Sequence, residues 1–168
     1  NIGKMYLCKS LLRCKSGGGY KPKSKTFLDV GCGEGYAIAY FKKMGWDVCG
    51  IDLSSFGLKT HNPNMEQYLR KGDFEEVMAR LCEEKRVFDY INADNALEHL
   101  PEPKKFICAV KRLLEDNGVV CISVPNDFSI TQEIAYDLGQ IDSAFWVTDK
   151  TSEHFNYFSV QPFQKYAE

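Results

Sequence analysis

Residues 26–36, Thr-Phe-Leu-Asp-Val-Gly-Cys-Gly-Glu-Gly-Tyr, constrain the fold more than any other stretch of this sequence. An apolar run ends at Val30, glycines then alternate with other residues, and a helical pattern follows at once over residues 36–44. We predict a buried strand, a tight turn and the start of a helix, because glycine lets the backbone turn sharply and removes the Cβ that would hold a ligand away. Such a turn opens the nucleotide site of a βαβ unit.

The spacing of the glycines narrows the class of ligand. A dinucleotide fingerprint reads G-x-G-x-x-G, whereas Tyr36 stands here where the third glycine is required. The Gly-Lys-Ser/Thr ending of a phosphate-binding loop is absent from the sequence. Glu34 within the turn would repel a pyrophosphate and suits a cationic ligand with an amino-acid end. The simpler alternative is a glycine-rich turn in another kind of α/β protein.

Two segments resemble one known family. Residues 28–36, Leu-Asp-Val-Gly-Cys-Gly-Glu-Gly-Tyr, closely resemble the first motif of class I S-adenosylmethionine (SAM) dependent methyltransferases. Phe88-Asp89, followed by Leu97-Glu98-His99-Leu100 and Pro103, resembles the small-molecule members that modify ubiquinone precursors and glycans. The resemblance covers residues 26–159 and implies a Rossmann-like, doubly wound, mostly parallel α/β sheet in the order 3-2-1-4-5. It also implies SAM as cofactor, S-adenosylhomocysteine (SAH) as product and a small-molecule methyl acceptor.

Strand and helix patterns alternate along the chain, which is typical of an α/β fold. The predicted strands are residues 26–30, 47–51, 67–70, 87–93 and 119–124. The predicted helices are residues 36–44, 74–84, 104–114 and 129–139. A turn at residues 115–118 is expected to place Gly118 at the C-cap of the preceding helix.

We expect three regions: a basic N-terminal helix and flexible linker (1–25), a SAM-binding core (26–127) and an aromatic-rich acceptor-side segment (128–168). Seven basic residues and no acid precede residue 26, so this arm could meet an acidic partner or be a solvated segment. The sixth and seventh strands usual in the family are not in the sequence. The chain is therefore expected to be shortened, or its sheet to end at five strands, with part of the acceptor pocket missing.

Residues that follow the predicted strands supply the expected cofactor site. Asp52 follows the first glycine at about the distance of the ribose-binding acid in βαβ nucleotide sites, and helix N-capping together with Ser54 is its alternative role. Asp73 and Phe74 match the family's adenine-binding positions, and N-capping is the alternative for Asp73. The full cofactor-binding set implied by the resemblance is Asp29, Gly31, Cys32, Gly33, Glu34, Gly35, Asp52, Leu53, Asp73, Phe74, Ala93 and Asn95.

Three residues are candidate general bases or orienting groups for methyl transfer: His99, Asp94 and His154. In the family, the loop after strand four lines the methyl-transfer site, and an imidazole such as that of His99 can exchange a proton near neutral pH. The alternative role for His99 is packing under the helix at 104–114. His154 stands near aromatic residues that could form either a substrate wall or ordinary core, namely Trp146, Phe155, Tyr157 and Phe158.

Composition disfavours several other classes. The net charge is −2 and the Asn/Asp-Pro-Pro-Tyr signature of amino-group methylation is absent, so nucleic acid is not expected as a partner. The seven cysteines include no Cys-x-x-Cys pair, so we predict no zinc knuckle and no metal site. Four cysteines lie in or beside apolar runs, which indicates reduced thiols in a cytoplasmic protein. The sequence holds no signal-peptide pattern and no apolar run near membrane-spanning length.

Two rival functions remain open from sequence. An NAD-dependent oxidoreductase is disfavoured by Tyr36 and by the missing Tyr-x-x-x-Lys pair. A domain that binds SAM but is degenerate or truncated, and therefore acts as a binding module, is kept open by the missing final strands.

Overall fold

The computed structural model describes residues 25–125, 129–142 and 154–158 of the 168-residue chain. Within these ranges the strands are β1 (Thr26–Val30), β2 (Asp47–Asp52), β3 (Leu69–Lys71), β4 (Phe88–Asp94) and β5 (Leu114–Ser123). The helices are α1 (Tyr36–Lys43), α2 (Phe56–His61), α3 (Phe74–Glu83), α4 (Pro103–Leu113) and α5 (Ile130–Asp137), with 3-10 turns at Pro63–Tyr68 and Leu97–His99. The predicted N-terminal helix and linker, Trp146 and the chain after Phe158 lie outside the described residues.

The five strands form one parallel sheet in the order β3-β2-β1-β4-β5. This confirms the predicted Rossmann-like fold. The central strands β1 and β4 are largely buried on both faces, as is usual in a parallel sheet that helices cover on both sides. The strand order reverses between β1 and β4, and the crevice at such a switch point is where open α/β sheets bind ligands.

Each face of the sheet has its own core. Successive residues of a strand point to opposite faces, so Leu28 packs with α3 and α4 whereas Phe27 packs with α1. The Phe27 ring stacks on Phe41 of α1 with centroids 4.0 Å apart. By the same alternation Asp29 lies on the α1 face. The sequence pattern of β1 therefore sends its one charged side chain toward the side where the switch-point crevice opens.

Two local predictions were wrong. β3 begins at Leu69 instead of residue 67, because a 3-10 turn occupies Pro63–Tyr68. The turn predicted at 115–118 is an irregular part of β5, whose register on β4 jumps from Phe88↔Leu114 to Tyr90↔Val119. Asn117, with φ +66°, takes the left-handed conformation expected of Gly118. Gly118 is needed for space instead, since a Cβ there would lie 2.8 Å from the Glu115 carbonyl oxygen.

Most other predicted ends agree to within one or two residues, although β5 begins at Leu114 instead of residue 119 and α2 was not predicted. The helix predicted at 129–139 is α5, and Ser129 caps it by accepting a hydrogen bond from the Gln132 N–H. In the described part of the chain, no helix is both long enough and apolar enough to cross a bilayer.

Candidate functional site

The turn after β1 uses all three of its glycines in the left-handed conformation. Gly31, Gly33 and Gly35 have φ values of +74°, +50° and +74°, a region that side chains with a Cβ rarely occupy. The N–H groups of Gly31 and Cys32 both donate to the Ile51 carbonyl, at 2.9 and 3.0 Å. The turn is therefore pinned to the end of β2 while α1 begins at Tyr36.

Cys32 contributes its backbone and not its thiol. The side chain is 7% exposed and packs beside Gly50 and Ile38 in the core. Burial raises the pKa of this thiol far above its ordinary value, and the neighbouring carboxylates raise it further. The thiol is therefore neutral and serves as a small core group.

Three carboxylates follow one another across the sheet at the carboxyl ends of neighbouring strands. Asp29 is one residue before the end of β1, Asp52 ends β2 and Asp94 ends β4. The parallel register aligns Asp29 with Gly50 on one side and with Asn92 on the other. The fold therefore gathers at one edge acids that are far apart in sequence.

Asp29 is buried to 4% exposure, and its Oδ1 accepts a hydrogen bond from Asn92 Nδ2 at 2.8 Å. Burial raises the pKa of this carboxyl from 3.8 to about 7, the Asn92 bond lowers it and the charges of Asp94 and Asp52 raise it further. Near neutral pH the group is therefore divided between its two protonation states. A cation arriving beside it would favour the ionised form.

Asp52 joins β2 to the glycine turn. Its Oδ2 accepts from the Gly33 N–H and its Oδ1 from the Ser54 N–H, both at 2.9 Å. N-capping by Asp52 is wrong, because Ser55 holds the N-cap position of α2, although the Ser54 hydroxyl accepts from the Phe56 N–H at 3.1 Å. A carboxylate has about four acceptor positions, so these two bonds leave capacity for ribose hydroxyls. The ribose role stays a prediction.

Asp73 is the N-cap of α3, as its alternative role predicted. Its Oδ1 accepts from the N–H groups of Glu75 and Glu76, at 2.8 and 3.3 Å. Phe74 is 9% exposed and lies in the core on the α3 face, which favours packing over stacking on a ligand. Leu53 is 57% exposed. Adenine binding by Asp73 and Phe74 stays a prediction.

A cleft of about 460 Å³ opens at the switch point. Seven of the predicted residues line it, namely Asp29, Gly31, Cys32, Gly33, Glu34, Asp94 and Asn95. Asn95 has φ +53°, and its N–H donates to the Ser123 carbonyl at 2.8 Å. Ala93 is fully buried and offers only its backbone. Gly35, Asp52, Leu53, Asp73, Phe74, His99 and His154 are not among the residues lining this cleft.

His99 and His154 form a pair that sequence reasoning did not foresee. The ring centroids lie 4.6 Å apart with the planes nearly perpendicular. The His154 Nδ1 atom is buried and has no hydrogen-bond partner among the described residues. His99 ends the 3-10 turn after β4 and is partly exposed. The fold thus brings together two of the three candidate catalytic residues, although His99 precedes α4 and His154 follows β5 in the sequence.

Glu98 adds a buried carboxylate to this pair. One ligand atom from each of Glu98, His99 and His154 lies within 4.8 Å of the others. Two imidazoles and a carboxylate are a set that divalent transition metals accept. The prediction of no metal site remains a prediction, and this is the place in the described chain at which to test it.

Sequence reasoning missed two asparagines that shape the cleft. Asn92 holds Asp29, and Asn62 Nδ2 donates to the Glu34 carbonyl at 2.7 Å. Asn92 carried a signal: it is a polar residue between the apolar Ile91 and Ala93, and the order 3-2-1-4-5 places that strand beside β1. In the sequence, Asn62 is an ordinary polar residue of a loop, and no comparable signal identified it.

Comparison with known proteins agrees with this geometry. Residues 4–168 match the family described as methyltransferase domain. The ubiquinone biosynthesis O-methyltransferase of Nitrosomonas europaea is 33% identical over 104 residues, covering 61% of this chain and 44% of the relative. The corresponding enzyme of Pasteurella multocida is 34% identical over 113 residues, covering 61% and 47%. The chain thus spans about half the length of these curated relatives.

Solved structures share the fold at lower identity. A SAM dependent methyltransferase from Archaeoglobus fulgidus superposes with a TM-score of 0.64 at 19% identity, over 96% of this chain and 66% of that one. A putative sarcosine dimethylglycine methyltransferase from Galdieria sulphuraria gives 0.66 at 19% identity, over 99% and 59%. The match along nearly the whole sequence, with this fold beneath it, shows that the chain belongs to the methyltransferase domain family.

Proposed function

We propose that this chain binds SAM at the switch-point cleft and transfers its methyl group to a small-molecule acceptor, leaving SAH. The observation that carries the proposal is the glycine turn with all three φ values positive, tied to Asp52 through the Gly33 N–H at 2.9 Å. The three glycines leave alternate positions of the turn without a Cβ atom, and a carboxylate stands on either side of it. This suits a ligand that is cationic at one end and carries a ribose at the other.

The residues divide the work of holding the cofactor. The N–H groups in the first turn of α1 favour a carboxylate, because the amino end of a helix carries partial positive charge. Those of Gly31 and Cys32 in the glycine turn already donate to the Ile51 carbonyl. Asp29 and Asp94 would attract the ammonium of the amino-acid end. Asp52 would accept the ribose hydroxyls, and Asp73 would take the adenine amino group with its second oxygen.

Bound SAM supplies a methyl group on a sulfonium, ready for in-line displacement by the acceptor atom. The protein's main contribution is to align the two reactants, which can be worth roughly 7–11 kcal/mol. For an acceptor hydroxyl, a base must also remove a proton, which adds about 10²- to 10⁴-fold. We assign that task to His99, with His154 and Asp94 as orienting groups.

The acceptor class is proposed from two supports. The relatives named above are ubiquinone biosynthesis O-methyltransferases, which favours an oxygen acceptor on a small molecule. Phe155 and Tyr157 are 62% and 42% exposed close to the histidine pair in sequence, so they can contact an apolar or planar acceptor. Phe158, by contrast, is 4% exposed in the core and is withdrawn from this role.

We also propose the division into an arm (1–25), a SAM-binding core (26–127) and an acceptor-side segment (128–168). The five cysteines found as free thiols among the described residues support a reducing, cytoplasmic location.

Melting temperature tests cofactor binding directly, since a ligand that binds only the native state stabilises it. SAM and SAH are each expected to raise the melting temperature of the chain, while NADH leaves it unchanged. The Asp52→Ala variant should lose the shift. A shift that survives in this variant would remove Asp52 from the site, and a shift with NADH alone would favour the oxidoreductase.

A second candidate is a binding module that holds SAM without transferring methyl. The methyltransferase relatives above do not favour this alternative. Incubation with SAM and a panel of phenolic, carboxylate and amine acceptors separates the two. SAH formed with any acceptor supports the enzyme, and binding without SAH formation across the panel supports the module.

A further inference from the structure

Residues His154–Phe158 form an extended segment, here called the strap, that lies against the loop after β4. Its side chains alternate in exposure as in a strand. Phe155 and Tyr157 are 62% and 42% exposed, whereas Phe158 is 4% exposed and joins the core on the α3 and α4 face. His154, Asn156 and Phe158 therefore share the inward side of the strap.

Asn156 makes the central attachment of the strap. Its backbone N–H donates to the Glu98 carbonyl at 3.2 Å, and its side-chain Nδ2 donates to the Leu100 carbonyl. The Phe155 N–H donates to the same Glu98 carbonyl at 2.9 Å. An amide suits this position because it brings two uncharged N–H donors to a backbone carbonyl.

The two accepting carbonyls flank His99 in sequence. His154 precedes Asn156 by two residues on the same side of the strap, and its ring lies 4.6 Å from that of His99. Phe158 anchors only the far end, because four residues of extended chain span about 13 Å. The Asn156 amide therefore supplies a side-chain attachment two residues from His154, beside the backbone bonds to Glu98.

We propose that Asn156 is a positioning residue that holds His154 against His99. Its meaning for catalysis rests on the proposed function above. Without the amide, the strap keeps its two backbone bonds to the Glu98 carbonyl but loses its bond to Leu100, so that the His154 ring moves away from His99 while the glycine turn and the cleft stay intact. The position of His99 and His154 would thus depend on contact between the strap and the loop after β4, which are more than fifty residues apart in the sequence.

Proton NMR with labelled histidine tests the geometry without any acceptor, since the chain has only three histidines. A nuclear Overhauser effect between the His99 and His154 rings is expected in the full 168-residue chain, with His61 as an internal reference. It should be lost in Asn156→Ala and in Asn156→Asp, which keeps the shape of the side chain but has no N–H donor. The matched control Asn64→Ala, an exposed surface asparagine, should retain it.

Each outcome decides the proposal. A ring-to-ring effect that persists in either Asn156 variant, or is absent from the wild type, would overturn it. If neither variant folds, exchange of the Asn156 side-chain amide in the wild type decides: slow exchange supports the bond to Leu100, and exchange as fast as that of Asn64 contradicts it. The SAM-induced melting shift, measured on the same samples, should survive in Asn156→Asp. Its absence from the wild type would refute the proposed function while leaving the NMR result on Asn156 intact.

Discussion

Asn92 Nδ2 donates a hydrogen bond to Asp29 Oδ1 at 2.8 Å across the seam between β4 and β1, the two strands that flank the switch point. The bond gives the buried Asp29 carboxyl a hydrogen-bond donor, and it holds that carboxyl on the wall of the cleft. The burial of Asp29 has consequences for stability that can be measured.

Asp29→Asn should make the protein more stable at alkaline pH. The pKa of Asp29 is about 7 in the folded protein against 3.8 as the reference value, so the native state binds the proton more tightly than the unfolded state. Stability from this group therefore falls as pH rises from about 4 to about 7 and is level above that. The free energy of unfolding of the variant lacks this decrease, and above pH 7 it should exceed that of the wild type by about a few kcal/mol.

Urea unfolding at pH 5 and pH 8 checks this prediction. The difference in the free energy of unfolding between variant and wild type should be larger at pH 8. A difference that is equal at the two values would mean that Asp29 ionises as readily in the native state as in the unfolded chain. Asp47→Asn, at an exposed carboxylate, serves as the control.

Gly33→Ala and Gly45→Ala form a matched pair. Both glycines have positive φ, +50° and +79°, and a Cβ at either would meet no atom of the described residues within 4 Å. Both variants should therefore lose a similar free energy of unfolding, about 1–2 kcal/mol. Only Gly33→Ala should weaken SAM binding by calorimetric titration, because only Gly33 lies in the cleft. Equal SAM affinities in the two variants would place the ligand elsewhere.

Asp73 allows capping to be separated from ligand binding. Asp73→Ala should cost about 0.5–2 kcal/mol of stability by removing the N-cap of α3, whereas Asp73→Ser should keep most of it. If Asp73 also holds adenine, both variants should bind SAH more weakly than the wild type. Wild-type SAH affinity in the serine variant would leave Asp73 with a purely structural role.

His99→Ala should lower turnover by about 10²- to 10⁴-fold if His99 is the general base, with the SAM-induced melting shift retained. His61→Ala, at an exposed histidine on α2, is the control and should turn over normally. Unchanged turnover in His99→Ala would remove this residue from the mechanism.

Chelation tests the expectation of no metal at the histidine pair. Methyl transfer should withstand overnight dialysis against EDTA. Activity that is lost on dialysis and restored by a divalent ion would make Glu98, His99 and His154 ligands, since these three already lie within reach of one ion.

The fold was predictable because its signals are local and repeated. The glycines after β1, the apolar run at residues 119–122 and the alternation of strand and helix patterns together indicate a parallel sheet. The prediction of a turn at 115–118 was wrong because Asn117, and not Gly118, takes the left-handed conformation. The close contact of Gly118 with the Glu115 carbonyl depends on the irregular path of β5, which the sequence does not indicate.

The site was predictable only in part. Residues adjacent to strand ends, such as Asp29 and Asp94, were identified because strand ends converge in a parallel sheet. The dual bonding of Asp52 and the pairing of His99 with His154 were not, because they depend on contacts between segments whose separation in sequence carries no periodic signal.

A crystal structure of the chain grown with SAH tests the central claim most directly. The proposal requires density for the amino-acid end at the turn of Gly31 to Gly35 and for the ribose hydroxyls at Asp52. A turn that stays empty at saturating SAH, or one that holds a pyrophosphate group instead, would contradict it.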